Sequence, residues 1–274
     1  MKKRFALVIV SFVLWAACCA SVSAQTPAAT GPPDFSYSGD TGPGLWPVIH
    51  NDEYPNCAPL PANRQSPIDI NSVVEDPRLG PLDLKLVEAP FILTNTGYTI
   101  QANPQFGSSL TIDGHEYPLA QFHFHTLSEH TVGGIRGAME LHIVFGSSTA
   151  DLAVIGVLYR IGRPNPFLQQ LIDAGLPAML ASAHVTVPNL DIQKALTDTS
   201  QYFTYDGSLT TPGCDPTVKW LVLKQWSEVS PEQYEAFRKI MGNDFRPIQK
   251  QNQRVVRATV RRGFFGEGAA PTAP

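Results

Sequence analysis

Short runs that alternate apolar and polar residues, each closed by Gly, Pro, Asn or Asp, set the strongest limit on what this 274-residue chain can fold into. Successive side chains of a strand point to opposite faces, so such a run buries one face and leaves the other free for solvent or chemistry. The pattern recurs at 91–94, 98–101, 109–113, 119–126, 140–145, 152–159 and 218–223. A mostly antiparallel sheet is the architecture that uses it. Helix signals are confined to two places. Ser230-Pro-Glu-Gln233 combines an N-cap, a proline at the first helical position and a reciprocal capping residue, which predicts a helix to about Ile240. Asn165-Pro166 opens a shorter one carrying Phe167, Leu168 and Leu171. The expectation is a β-rich α+β fold in one domain, since about 230 residues run without a repeat or linker.

Two of these runs carry histidines on one face. In Gln121-Phe-His-Phe-His125 the pleat separates Gln121, His123 and His125 from Phe122 and Phe124. In Glu140-Leu-His142, Glu140 and His142 share a face while Leu141 and Ile143 pack behind. A lone histidine on a strand is usually a core or surface residue. Two adjacent imidazoles on one face, with apolar backing, point instead to metal. Three nitrogens with one open position form a catalytic zinc site rather than a closed structural one. Gln121 and Glu140, two residues before His123 and His142, can accept the ligands' second ring N–H and fix their tautomers.

The ends of the chain read differently from its body. Lys2-Lys-Arg4, an apolar stretch to Ala20 and Val22-Ser-Ala24 form a secretory signal over 1–24, with cleavage before Gln25. A retained anchor is disfavoured by its short length, and a lipoprotein at Cys18 or Cys19 by Trp15 and Ala16. The expected location is therefore periplasmic or secreted. Residues 25–34 and 265–274 read as a flexible linker and tail. Cys57 and Cys214 alone remain in the mature chain, and an even pair in an exported protein is most simply a disulfide. Without Lys2, Lys3 and Arg4, 17 basic residues face 24 acidic ones, for a charge of −7. That argues against nucleic acid or an anionic membrane as a partner. A homodimer stays compatible with the sequence.

The run Tyr205-Asp-Gly-Ser-Leu-Thr-Thr-Pro-Gly213 is too polar and too rich in Gly and Pro for a strand, and by itself reads as a surface loop. With the other motifs, however, the chain closely resembles the α-class carbonic anhydrases, in particular the exported bacterial type. The resemblance runs through Gln65-Ser-Pro-Ile-Asp-Ile70, Gly107-Ser-Ser-Leu-Thr-Ile-Asp-Gly114, Gln121-Phe-His-Phe-His125, Ser128-Glu-His-Thr131, Glu140-Leu-His142, Gly207-Ser-Leu-Thr-Thr-Pro212 and Phe245-Arg-Pro247, in family order. It implies a catalytic domain over 35–264, a twisted and mainly antiparallel sheet of roughly ten strands with peripheral short helices, and a cleft holding Zn2+. It also implies the Cys57–Cys214 disulfide of exported members.

The implied activity is reversible hydration of carbon dioxide to bicarbonate and a proton by zinc-bound hydroxide, with His123, His125 and His142 as ligands. Thr210 would accept a hydrogen bond from that hydroxide and donate to Glu129, because an ionised carboxylate only accepts. Thr211 matches a position that orders water and bicarbonate. Val144, Val154, Leu209, Val218 and Trp220 match the apolar wall beside the metal, and His130 matches a structural histidine supporting Glu140 and Tyr205. Two departures stand out. Tyr98 occupies the proton-shuttle position, where fast members carry histidine, and a phenol of pKa near ~10 is a poor relay at neutral pH. Asp244 stands where Asn is common, its backbone carbonyl expected to receive the N–H of His125. The alternatives are a non-catalytic binding protein of the same fold, or another divalent metal on the histidines.

Overall fold

The computed structural model describes residues 34–49, 54–60, 64–178 and 184–260. Its main sheet has thirteen strands among these residues, and ten of them form one continuous path. The order across that path is Val185–Leu190, Ala89–Asn95, Ile100–Pro104, His115–Thr126, Met139–Ser148, Asp151–Ile161, Val218–Leu223, Tyr202–Gly207, Val256–Thr259 and Val73–Asp76. Most neighbours are antiparallel, but Asp151–Ile161 runs parallel to Val218–Leu223, and Val256–Thr259 parallel to Val73–Asp76. A separate small sheet joins Asp69–Ile70, Thr131–Val132 and Ile135–Arg136.

The central pair explains why the sheet is two-sided. Phe122, Phe124, Leu141 and Ile143 all enter the larger core. There Phe122 meets Phe167 of the helix Pro166–Ala174 at 5.6 Å, and Phe124 meets Phe237 of the helix Pro231–Met241 at 4.8 Å. Each fully buried side chain of this size contributes roughly 1.5–3 kcal/mol. Both helices start where the capping chemistry requires: Asn165 accepts from the N–H groups of Phe167 and Leu168, and Ser230 with Gln233 closes a capping box. The other face of the sheet carries a smaller cluster that includes Val144, Val154, Val218 and Trp220.

Two local expectations change. The strand expected at 98–101 begins only at Ile100, because Asn95 caps the N–H of Gly97, whose φ of 94° turns the chain, and Thr96 bonds Thr99. Tyr98 therefore sits in a turn. Tyr205, Asp206 and Gly207, expected in a loop, instead end the strand Tyr202–Gly207, paired with Val218–Leu223. Ladder hydrogen bonds and the burial of Tyr205 beside Trp220 outweigh the polar composition there. Gly207 is needed at that point, since a Cβ would strike Trp220 at 2.7 Å and the Ser66 hydroxyl. Strands Val73–Asp76, Val185–Leu190 and Val256–Thr259 carry too little alternation to be read in advance. The expected signal at 1–24, the linker to 33, the tail at 265–274 and His50 lie outside the described residues.

Cys57 and Cys214 are bonded across 157 residues of chain, and both are buried. Closing so long a loop limits the unfolded ensemble by about 5 kcal/mol on the chain-entropy model. Replacing both cysteines with alanine is expected to lower the thermal midpoint by several degrees, read by a circular-dichroism melt. An unchanged midpoint would contradict that estimate.

Candidate active site

Strand register decides how the histidines meet. His142 stands directly opposite His123, and Glu140 opposite His125. Their ring centroids lie 5.1 Å apart for His123–His125, 5.1 Å for His123–His142 and 4.6 Å for His125–His142. One ligand-capable atom from each falls within 4.8 Å of the others.

On each ring the remaining nitrogen is already engaged. His123 Nδ1 bonds Gln121 Oε1 at 2.9 Å, His125 Nδ1 bonds the Asp244 carbonyl at 2.7 Å, and His142 Nε2 bonds Glu140 Oε1 at 3.0 Å. These acceptors take the ring N–H, so the inward nitrogens carry lone pairs. His125 Nε2 is buried with no hydrogen-bond partner among the described residues, a costly arrangement unless something binds there. His142 Nδ1 and His123 Nε2 are 3.3 Å apart. Two nitrogens on a tetrahedral zinc, at bonds of about 2.0–2.1 Å, stand about 3.4 Å apart. Burial drops His123 well below the ordinary imidazole pKa and His142 to about 4, so both are neutral at pH 7. The donor set fits a tetrahedral dication with one corner open.

Behind the rings lies a dense polar network. Glu140 Oε2 accepts the backbone N–H groups of Glu129 at 2.8 Å and His130 at 2.7 Å, while Oε1 bonds His130 Nδ1 at 2.7 Å. Burial would raise the Glu140 carboxyl, but the imidazoles of His130 and His142 outweigh it and hold it well below the usual range. His130 Nε2 bonds the Tyr205 hydroxyl at 2.7 Å, which meets Ser66 Oγ at 2.9 Å. His130, Glu140 and His142 also cluster closely, but their atoms already bond one another. His130 is thus a brace, as expected.

Glu129 lies on the same side. Its Oε1 accepts the Arg246 N–H at 2.7 Å, and its Oε2 is 3.6 Å from His125 Nε2. Burial pushes its carboxyl up to about 8, opposed by that N–H and by the Thr210 hydroxyl. Thr210 is close enough to lower that carboxyl, although Glu129 Oε2 has no hydrogen-bond partner among the described residues. A cation among the imidazoles acts against the burial cost and favours the ionised form. Asp244 does more than lend its carbonyl. Its Oδ1 accepts the Thr126 N–H at 2.7 Å, and burial pushes the carboxyl up to about 7.

A cleft of about 310 Å³ opens onto His123 and His142. Val144, Val154, Leu209, Val218 and Trp220 form an apolar wall, with Thr210, Thr211 and Gln121 at its polar side. Leu152, the strand end Gly146-Ser-Ser148 and the adjoining Thr149 also line it, and none of them stands out in the sequence. Leu152 could have been found, because it shares a strand face with Val154. Tyr98 reaches the cleft but leans on Phe35 at 4.9 Å and Tyr37 at 6.4 Å, and burial raises its phenol further.

The description eukaryotic-type carbonic anhydrase fits the family model that matches residues 41–260. A carbonic anhydrase of a Nostoc species is 35% identical over 235 residues, covering 84% of this chain and 88% of that protein. Among solved structures, an α-carbonic anhydrase from Thermovibrio ammonificans in complex with the inhibitor sulfanilamide is 36% identical. It has a TM-score of 0.76 and covers 83% of this chain and all of that one. Dioscorin complexed with ascorbate shares the fold at 29% identity and TM-score 0.76, covering 84% of this chain and all of that one. By model, relatives and architecture alike, the chain belongs to the eukaryotic-type carbonic anhydrases, and its activity is the reversible hydration of carbon dioxide.

Proposed function

We propose that this chain hydrates carbon dioxide with Zn2+ held by His123, His125 and His142. The observation that carries the reading is the convergence of three nitrogens, two on rings that burial keeps neutral and one orphaned, beside the Thr210–Glu129 pair. When bound, the metal supplies a Lewis acid that makes coordinated water ionise near neutral pH, an effect for which carbonic anhydrases are the standard example.

The chain's own residues do the rest. Gln121, Glu140 and the Asp244 carbonyl hold the three rings in one tautomer. Glu129 draws the Thr210 proton toward itself, so Thr210 Oγ1 must accept a hydrogen bond from the reacting oxygen and leaves a lone pair aimed into the cleft. The wall of Val144, Val154, Leu209, Val218 and Trp220 offers carbon dioxide apolar contact without competing donors. Thr211, on the cleft's polar side, orders solvent and bicarbonate.

Stopped-flow carbon dioxide hydration, with and without a zinc-directed sulfonamide, tests this on protein purified without added metal. The expected result is about one zinc per chain and sulfonamide-sensitive turnover. Zinc-loaded protein without turnover would leave only the binding-protein alternative. Export is part of the proposal, supported by the buried disulfide. Among the described residues no helix is long and apolar enough to cross a membrane.

Proton export is expected to limit turnover, because the rim residue Tyr98 is a phenol raised further by burial. Added imidazole should raise the rate in dilute buffer, and so should Tyr98→His. A rate that responds to neither contradicts this step.

A further inference from the structure

The described chain stops at Val260, and that residue is held in the wall of a hollow. Gln201 Nε2 donates to its carbonyl at 3.3 Å, and Lys224 Nζ donates to the Thr259 carbonyl at 2.6 Å. Leu79, Pro81, Asp198 and Ser200 complete this hollow, whose volume is about 220 Å³. A second one, of about 470 Å³, is walled by the continuations of the same two segments: Leu82, Leu84 and Leu86 from one, Leu196, Thr197 and Thr199 from the other. The Leu82 N–H donates to the Thr199 carbonyl at 3.1 Å, so the segments touch where the two hollows meet in sequence. All four leucines pack on the large core yet are only half-buried.

The sequence continues from Val260 as Arg261-Arg-Gly-Phe-Phe265. Phe264 and Phe265 are the only large apolar residues between 261 and 274. Two adjacent phenyl rings left in water would be the costliest feature of that stretch. Four residues span at most about 14 Å, enough to carry Phe264 from Val260 to the hollow that begins at Leu82, the residue after Pro81. Charge matches as well. Asp198 stands exposed in the same wall as Val260, and the Ser200 hydroxyl and N–H donate to its Oδ1 at 2.6 and 2.9 Å. Those bonds hold its carboxyl below the usual range and leave an anion beside the path of Arg261 and Arg262.

We propose that the stretch after Val260 is a latch, in which Phe264 and Phe265 fill the leucine-lined hollow while Arg261 or Arg262 faces Asp198. The occupant is this chain's own segment rather than a second copy, because the tether supplies a local concentration that a free partner does not match. The latch ties residues 79–86 to residues 193–201. It shares no lining residue with the catalytic cleft and is independent of the zinc reading.

Ordering five residues offsets most of what two buried rings contribute, so the expected effect on stability is small and the decisive readout is local. Ending the chain after Val260 should lower the thermal midpoint by about 2–4 °C, the scale of one modest contact in a domain of this size. Hydrogen exchange followed by mass spectrometry should show faster exchange at 82–86 and 193–199 and no change at the strands that carry the histidines. Carbon dioxide hydration at room temperature should stay as in wild type, which shows that the shortened protein is folded. Phe264→Ser/Phe265→Ser in the uncut chain should reproduce both changes without removing any backbone. Exchange at 82–86 and 193–199 that is the same in wild type and in this double variant overturns the proposal. Protection that grows with protein concentration, with a dimer in light scattering, also overturns it, because the rings would then be seated on a second copy.

Discussion

Exchanging His125 for alanine is expected to abolish zinc retention and lower carbon dioxide hydration by about a thousandfold or more, since the metal supplies several kcal/mol of the barrier reduction. His125 is the most informative of the three to remove. It is fully buried, its Nε2 has no hydrogen-bond partner among the described residues, and its Nδ1 is spoken for by the Asp244 carbonyl. Alanine thus deletes one of the three proposed ligands without freeing another nitrogen to take over. It also leaves the Asp244 carbonyl without its donor, at a cost of about 1–3 kcal/mol. Circular dichroism should therefore show a folded but less stable protein. Dialysis of wild type against a chelator should give the same loss without the mutation, and added zinc should restore the rate. A variant that keeps both its zinc and its rate would remove His125 from the site.

Thr210→Ala is expected to reduce kcat about a hundredfold, the usual scale for deleting one preorganised hydrogen-bonding group at a reacting oxygen. Zinc content should hardly move, because Thr210 is not among the three converging nitrogens or their acceptors. The divergence between the two readouts separates a group that aims the nucleophile from one that holds the metal. Thr210→Ser, which keeps the hydroxyl, should recover most of the rate. Glu129→Gln should resemble the alanine variant, since an amide can donate and no longer compels the Thr210 proton toward itself. Equal turnover in Thr210→Ala and wild type would end the donor-counting argument.

Both outcomes trace back to features of very different legibility. The face carrying Gln121, His123 and His125 could be read directly, because side-chain alternation is a property of the extended chain and needs no partner. The two helix starts at Asn165 and Ser230 were equally plain, since capping is satisfied within four residues. Tyr98 and Tyr205 show where local reading stops. Alternation alone puts Tyr98 in a strand, but Asn95, Thr96 and Gly97 bend the chain there. Polar composition alone puts Tyr205 in a loop, but pairing with Trp220 makes it a strand residue. Strands such as Val256–Thr259 depend on neighbours distant in sequence, Tyr202–Gly207 on one side and, nearly 200 residues away, Val73–Asp76 on the other. Propensity alone does not reveal such a partner.

The amino-acid order by itself determined which side chains share a face, where the helices begin, and, through the family motifs, what chemistry the chain carries. Only the tertiary structure decided the register that sets His142 across from His123 and the Asp244 carbonyl against His125. It alone brought Arg246 within reach of Glu129, Gln65 and Cys57. The physical reason is range. Alternation and capping act over a few residues, whereas hydrogen bonds between groups more than a hundred positions apart exist only after the sheet has closed and driven water from between them.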